Sequence, residues 1–396
     1  MEALLGIEEA RALVLGRVQP LGHEEVALAA VAGRMLAETV RAPIDLPPFD
    51  SSAMDGFAVR AADTPGRLRI VEASAAGRPS STRVGAGDAA PISTGAVVPE
   101  GADAVVPVER TAQDDGGHVE VEAVAETDNV RPRGGDIRAG DAVAEAGTRL
   151  TPWTVGALAA VGLAAVRCAR RPRVAVLATG TELRPPGEPL AAGQIYESNS
   201  LLLGAQLAEA GAEVTRIAPA ADDEADTRRG LEQGLDADVL VTSGGVSVGN
   251  HDLVRGSLAS LGVEELFWRV AVRPGKPVAF GVRGATLVFG LPGNPVSSLV
   301  GFELFVRPAL LALQGAAEPG PSWQPGRLAA PVRRNRERDQ LVRARRRLDR
   351  DAVELEPVPG DESHMIARAA RADALVLVPR GEGELAAGAA VRYLAG

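Results

Sequence analysis

The sequence predicts a multi-domain protein of α/β plus β class: a central Rossmann-like α/β domain, a β-rich inserted domain and a C-terminal β domain. Three observations predict it. Between residues 173 and 243, apolar strand-like runs alternate with helix-length segments. Between 49 and about 147, short β-like runs are punctuated by Gly, Pro and Asp. After Pro319-Gly320-Pro321, apolar residues alternate with arginine to the end of the chain. At 396 residues the chain is also too long for one ordinary core, and roughly two to four domains are expected.

In chain order, Leu4, Ile7, Ala10, Leu13, Val14 and Val18 recur near the helical period until Pro20-Leu21-Gly22 interrupts them. A second helix is expected over 24–37, where Val26, Leu28, Val31 and Leu36 are apolar. Pro43, Pro47 and Pro48 stiffen an extended connection into the β-rich domain. That domain holds Gly56-Phe57-Ala58-Val59, Ala102-Asp103-Ala104-Val105-Val106 and an alternating run over 119–124. Residues 155–166 read as a buried Ala-rich helix, and Arg170-Arg171-Pro172 as a linker. The expected division is a discontinuous helical unit (1–48 with 140–170), a β-rich domain (49–139), an α/β domain (171–318) and a C-terminal β domain (319–396). The two helical segments, neither large enough to bury its face alone, are expected to pair and bring Leu13 and Leu158 together.

The α/β rhythm starts with the strand Arg173-Val174-Ala175-Val176-Leu177 and a helix over 200–210 closed by Gly211. A strand over 213–217, a helix over 222–234 and the strand Asp238-Val239-Leu240-Val241 follow. Such alternation implies a parallel sheet covered on both faces, and ligands of such sheets sit beyond the carboxyl ends of the strands.

Composition excludes several classes. Gly and Pro together number 73, below the fraction that marks low complexity. A net charge of −10 argues against nucleic acid, whose binding depends on neutralising phosphates. The apolar run 155–166 falls short of the ~20 residues of a bilayer span, and the acidic Met1-Glu2 start is unlike a secretory signal. One cysteine, Cys168, leaves no internal disulfide or Cys-rich zinc site, and the four histidines form no HExxH. A cytoplasmic protein is expected. Of 42 basic residues only Lys276 is lysine, and its compact ammonium is a different ligand from a guanidinium.

The strongest local signal is Thr242-Ser243-Gly244-Gly245-Val246-Ser247-Val248-Gly249 directly after a strand, where small residues let backbone amides approach an anion. A tight strand-to-helix turn would need the same glycines. Thr179-Gly180-Thr181-Glu182 closes the first strand of the same sheet. Glu182, Asp222 and Asp252, each singly a plausible helix cap, together fit a Mg²⁺ site serving a phosphate. Residues 269–277 read as a strand with Arg269, Ala271 and Arg273 on one face, leading into a Pro-bounded turn that carries Lys276. Pro292-Gly293-Asn294-Pro295 opens a helix with Ser297 and Ser298 in its first turn, a second oxyanion seat. Nine arginines and three acids lie between Arg333 and Arg350, and alternation from Leu341 turns Arg343 inward, where a guanidinium needs an acceptor.

Together these segments resemble the MoeA/gephyrin-E family of molybdopterin molybdenumtransferases. In order, the resemblance is carried by Ser52-Ala53-Met54-Asp55-Gly56, Thr94-Gly95-Ala96 with Pro99 to Val106, Arg131 with Gly135-Asp136-Ile137, and Thr179 to Leu183. Gly193-Gln194-Ile195-Tyr196, Ser243 to Gly249, Pro274-Gly275-Lys276-Pro277 and Leu291 to Pro295 complete it, spanning nearly the whole chain. The resemblance implies an elongated four-domain protomer that dimerises, its cleft shared between the α/β domain of one subunit and the β-rich domain of its partner. It implies insertion of molybdate into adenylylated molybdopterin with release of AMP, aided by Mg²⁺. The catalytic set it implies is Asp55, Thr94, Asp136, Glu182, Asp222 and Asp252, with Glu182, Asp222 and Asp252 as metal ligands. Pterin and phosphate contacts fall to Arg131, Thr179, Gly180, Ser243, Gly244, Gly245, Ser247, Gly249, Pro292, Gly293, Asn294 and Pro295. Molybdate falls to Arg269, Arg273, Lys276, Ser297, Arg343 and Ser363. Arg269 and Arg273 stand where some relatives carry Lys, His251 is an additional polar residue of its loop, and Glu362 replaces a Gly before Ser363. The alternative readings are a molybdopterin adenylyltransferase, which is also a possible partner, and a non-catalytic scaffold of the gephyrin E-domain type.

Overall fold

The computed structural model describes residues 4–220, 223–245, 253–349, 352–360 and 362–396. At its centre, strands Glu213–Ala220, Arg173–Thr179, Val239–Ser243 and Thr286–Leu291 lie parallel in that order. Strands Ala279–Arg283 and Glu264–Trp268 extend the sheet antiparallel. Every residue of Val239–Ser243 is buried, as expected of a strand covered on both faces. On one face, Val174, Val176, Val239 and Val241 pack against Leu203, Leu207 and Phe302 of two helices. On the other, Ala175, Leu177 and Leu240 meet Leu231 and Val254. The register sets Ala178 beside Ser243 and Ser243 beside Leu291, so three strands end level.

Helix Pro295–Leu313 is the one described helix long and apolar enough to cross a membrane, but most of it is buried within the protein. It packs the sheet core instead, through Val300, Phe305, Leu310 and their neighbours.

The pairing expected of the two outer helices does not occur. Helix Ile7–Leu15 buries Ile7, Ala10 and Val14, a single stripe at helical spacing, in the core of the central sheet. Leu13 is 42% exposed, whereas Leu158 lies in a separate cluster with Val31, Leu36, Leu150 and Cys168. The apolar Pro295–Leu313 helix offers the stripe a larger surface than a short second helix could.

Residues 24–37 are not helical either. His23–Ala27 is a strand antiparallel to Ala165–Ala169, with Val26 opposite Val166, and only a three-residue 3₁₀ turn, Leu28–Ala30, follows. Strand pairing supplied from 140 residues away outweighs a modest local helical pattern. Accordingly the expected 155–166 helix is shorter, Pro152–Ala160, started by the Thr151 side chain accepting from Thr154 N–H at 3.3 Å with Pro152 in the first turn. Only Leu158 of that helix is buried, so it is not the buried element its composition implied.

The β-rich region forms a six-stranded sheet in the order Ala104–Pro107, Gly56–Val59, Asp88–Ile92, Gly66–Ile70, His118–Val121, Thr111–Gln113, over Phe57, Leu68, Val106 and Val119. Gly56 is required there, because any Cβ would collide with the Val106 carbonyl of the neighbouring strand. Beside this sheet, one oxygen of the exposed Glu72 carboxylate accepts from the backbone N–H groups of Ser81 and Thr82 at 3.0 and 3.1 Å. It also accepts from the hydroxyls of Ser80, Ser81 and Thr82. These donors, the Thr82 hydroxyl foremost, lower its pKa from 4.5 to about 2. A carboxylate lowered by folding stabilises fully above about pH 4.5, its unfolded value, and loses that contribution as the pH falls towards 2. The 80–82 loop is therefore expected to stay protected from protease at pH 4 and to open in Glu72→Gln at any pH. Equal cleavage of the two proteins at pH 4 would contradict this.

In the C-terminal region, Asp339–Asp349, Ala352–Pro357, Gln324–Leu328, Ala390–Ala395 and Ala374–Val378 close into a barrel, the last strand returning to the first. Leu328, Leu355, Val376 and Tyr393 fill it. Val272–Arg273 adds to its edge, parallel to Asp339 and Gln340, and so ties the barrel to the α/β unit.

Candidate functional site

Because three parallel strands end level, their turns converge. Gly244 adopts φ +95°, and a Cβ there would sit 2.6 Å from the Thr179 carbonyl oxygen. Only glycine permits that approach. Gly244 N–H donates to the Leu291 carbonyl at 3.0 Å, drawing the 292–295 turn alongside. Glu182 is exposed and folds its carboxylate back over Gly180, where a Cβ would lie 2.6 Å from a carboxylate oxygen.

These turns line a cleft of about 530 Å³ that gathers Thr179, Glu182, Ser243, Gly245 and the whole Pro292-Gly293-Asn294-Pro295 turn, with His364 and Ile366 arriving from the C-terminal region. Sequence positions more than a hundred residues apart thus share one wall, at the strand ends where an α/β sheet holds ligands.

The key residue missing from the sequence reading is Asn199. Its Nδ2 donates to Ser243 Oγ at 2.8 Å and to the Gly293 carbonyl at 2.7 Å, locking two of the three turns together from beneath. Glu197, equally unnoticed, is 5% exposed and accepts from the backbone N–H of Ser200 at 2.8 Å and from its hydroxyl, fixing the start of helix Asn199–Glu209. The available signal was Glu197-Ser198-Asn199, a run of cap-type residues immediately after Ile195-Tyr196.

A second corner forms where the C-terminal region meets helix Pro295–Leu313. Asn294 Nδ2 donates to Ser363 Oγ at 2.8 Å, and the Val296 N–H donates to the Ser363 carbonyl at 3.1 Å. Ser297 and Ser298 N–H groups donate to the Asn294 carbonyl, so these first-turn amides are already engaged. The expected oxyanion seat therefore rests on side chains rather than on helix amides. Ser297 is buried, and its backbone carbonyl lies 3.5 Å from where a Cβ of Gly275 would stand, so the turn that carries the exposed Lys276 packs against the start of this helix.

The arginines behave differently from the strand reading. Arg269 has φ +84°, which breaks the expected alternation, and its guanidinium carbon lies 3.6 Å from the centre of the Trp268 ring, with that of Arg255 at 4.0 Å. Arg269, Ala271 and Arg273 do not share one strand face: Ala271 is fully buried and the strand is only Val272–Arg273. Arg273 lines a small crevice with Gln340 and Arg343. Arg343 is inward, as alternation required, but its fork donates to the carbonyls of Met365 at 2.9 Å and of Gly360. Those acceptors make it a clamp on the Ser363 loop.

Four other residues expected at the site belong to the β-rich region and its flank. Asp55 Oδ1 accepts from Thr94 N–H at 2.8 Å, and Val130–Arg131 pairs with Ser51–Ser52. Asp136 lies on the neighbouring turn, its N–H donating to the Leu46 carbonyl at 2.9 Å. Asp55, Thr94, Arg131 and Asp136 are all exposed, and none of them lines the strand-end cleft. Asp222, Ser247, Gly249, His251 and Asp252 lie outside the described residues.

Comparison with known proteins agrees along the whole length. Residues 5–162 match the family profile described as "MoeA N-terminal region (domain I and II)", and 325–395 match "MoeA C-terminal region (domain IV)". Between them, 175–312 match "Probable molybdopterin binding domain", the segment that supplies the cleft. A Mycobacterium tuberculosis protein named molybdopterin molybdenumtransferase 2 is 40% identical over 384 residues, with 92% of each chain covered. The chain belongs to the MoeA family. A Haemophilus influenzae molybdopterin molybdenumtransferase is 35% identical with 98% of each chain covered. A crystal structure of the MoeA protein from Pyrococcus horikoshii superposes with a TM-score of 0.82 at 33% identity, covering 99% of both chains. The α/β plus β architecture is thus that of MoeA, and the cleft floored by Asn199, Ser243 and Gly293 lies within the segment that matches the probable molybdopterin binding domain.

Proposed function

We propose that this protein inserts molybdate into adenylylated molybdopterin and releases AMP, forming the molybdenum cofactor. The observation that carries the reading is the strand-end cleft, in which the small residues of three turns leave room for a phosphate-bearing ligand while Glu182 stands at the rim. Ser243, Gly244, Gly245 and the 292–295 turn would bind pterin and phosphate, with Thr179 and Gly180 alongside. A tetrahedral dianion suits an ammonium and hydroxyl donors, which Lys276, Ser297 and Ser363 would supply at this corner.

Mg²⁺ fits the residues present in a limited sense. Among the described residues no group of three or more candidate ligands occurs. Mg²⁺ commonly takes only one or two carboxylates plus substrate oxygens, and Glu182, exposed at the cleft rim, suits that. Glu182, with Asp222 and Asp252, would hold it, and the ion would neutralise charge on the pyrophosphate.

Because Asp55, Thr94, Arg131 and Asp136 form a polar group away from the cleft, the reading includes a homodimer in which this group completes the partner's cleft. It also includes a cytoplasmic location and supply of the adenylylated substrate by a molybdopterin adenylyltransferase. The division of the chain is proposed as above, with helix Ile7–Leu15 moved to the α/β unit on the evidence of its burial. The deciding assay is molybdate-dependent release of AMP from adenylylated molybdopterin. Consumption of ATP instead would favour an adenylyltransferase, and neither activity would favour a scaffold.

Lys276→Arg is expected to weaken molybdate binding about tenfold although charge is kept, because a planar fork cannot replace a compact ammonium in a small oxyanion cage. Titration of molybdate against both proteins checks it. Equal affinities would remove Lys276 from the pocket.

A further inference from the structure

The motif Gly193-Gln194-Ile195-Tyr196 has no part in the assignments above, yet Ile195 and Tyr196 line the cleft. They belong to a two-stranded parallel flap, Leu183–Arg184 with Ile195–Tyr196, in which Leu183 faces Ile195 and Arg184 faces Tyr196. The Ile195 N–H donates to the Glu182 carbonyl at 2.9 Å, so the flap starts where the rim carboxylate ends. Ile195 is 54% and Tyr196 46% exposed, an apolar pair beside a polar cleft. The Tyr196 hydroxyl donates to the Glu188 carbonyl at 3.0 Å, which anchors the ring by its far end.

We propose that this flap is the adenine wall of the cleft, with the Tyr196 ring as the surface on which the base of the adenylate stacks. The assignment rests on the molybdenum-transfer reading, and it follows from the order of groups in the substrate. Molybdate reacts at the pterin dithiolene, which belongs towards the Lys276, Ser297 and Ser363 corner. The pyrophosphate belongs at Glu182. The nucleoside lies beyond the pyrophosphate, and the next protein surface beyond Glu182 is the flap. A purine has two large π faces, so an aromatic ring held in place at the cleft wall matches it. The ring is pre-positioned by its hydroxyl, so little side-chain freedom is lost on binding.

The test is calorimetric titration of the full-length protein with AMP and, separately, with ribose 5-phosphate, both in the presence of Mg²⁺. Tyr196→Ala and Tyr196→Leu are expected to weaken AMP about 10- to 100-fold, the span of one lost base–aromatic stack. They should leave ribose 5-phosphate unchanged. Tyr196→Phe, which keeps the ring and loses only the anchor, should bind AMP within about threefold of the wild type. Unchanged AMP affinity in the Ala and Leu variants, or parallel loss of AMP and ribose 5-phosphate, would overturn the adenine wall while leaving molybdenum transfer intact. Failure of the wild type to bind AMP at all would instead overturn the transfer reading and this assignment with it.

Discussion

Asp55→Ala and Glu182→Ala are each expected to lower molybdenum insertion by about 100-fold or more, the scale on which a positioned charged or proton-handling group contributes. Thermal melting should barely change. Both side chains are exposed: Asp55 loses a single hydrogen bond, to Thr94 N–H, and Glu182 stands at the cleft rim over a glycine. Exposed polar changes of this kind cost little stability. The pair also tests the shared cleft. Asp55 belongs to the β-rich group and Glu182 to the strand-end cleft, so if each site draws one residue from each subunit, mixed dimers regain one intact site of two. Co-refolding equal amounts of the two variants would then restore about a quarter of wild-type activity, since half the dimers are mixed. No recovery in a mixture shown to contain mixed dimers would place both residues in a site within one chain. Full activity in either single variant would remove that residue from the mechanism.

Arg343→Ala is expected to have the largest effect on stability of any single change near the site, about 2–4 kcal/mol. Its side chain is 5% exposed, and its fork holds the carbonyls of Gly360 and Met365 on a loop that has no other buried cation beside it among the described residues. Removing it leaves part-buried carbonyls unpaired and frees the loop that seats Ser363 against Asn294 and Val296. Molybdate binding should therefore fall together with the melting temperature. Arg343→Lys discriminates the two roles. A residue that binds an anion through charge would keep much of its function as lysine, whereas a fork holding two separated carbonyls would not. Destabilisation of the Lys variant close to that of the Ala variant supports the clamp. A stable Lys variant with near-normal molybdate affinity would favour the anion-binding role.

The α/β unit was legible because its signals are local. Arg173–Thr179 and Val239–Ser243 are short apolar runs closed by Thr or Ser, and both are almost wholly buried between the two helical layers. Ligand sites lie at the ends of such strands, so Thr179, Glu182 and Ser243 could be assigned to one crevice from that rhythm, whereas the 292–295 turn was legible only as a separate oxyanion seat. The glycines of the 242–249 loop likewise announced a close backbone approach, which Gly244 makes to the Thr179 carbonyl.

What the tertiary structure decided was choice of partner. Residues 23–27 carry a helical pattern weak enough to be overruled by Ala165–Ala169, and the stripe Ile7, Ala10, Val14 joined the core that offered the most apolar surface. Arg343 turned inward as the alternation required, but whether its acceptor would be an oxyanion or a carbonyl depended on a loop some twenty residues further along. Asn199 was silent for the same reason: its amide matters only because Ser243 and Gly293, 44 and 94 residues away, fold onto it. Periodicity and turn chemistry are written in neighbouring residues, and they determined the elements and most of the cleft. Long-range pairing is a competition among distant surfaces, and only the folded chain shows which of them won.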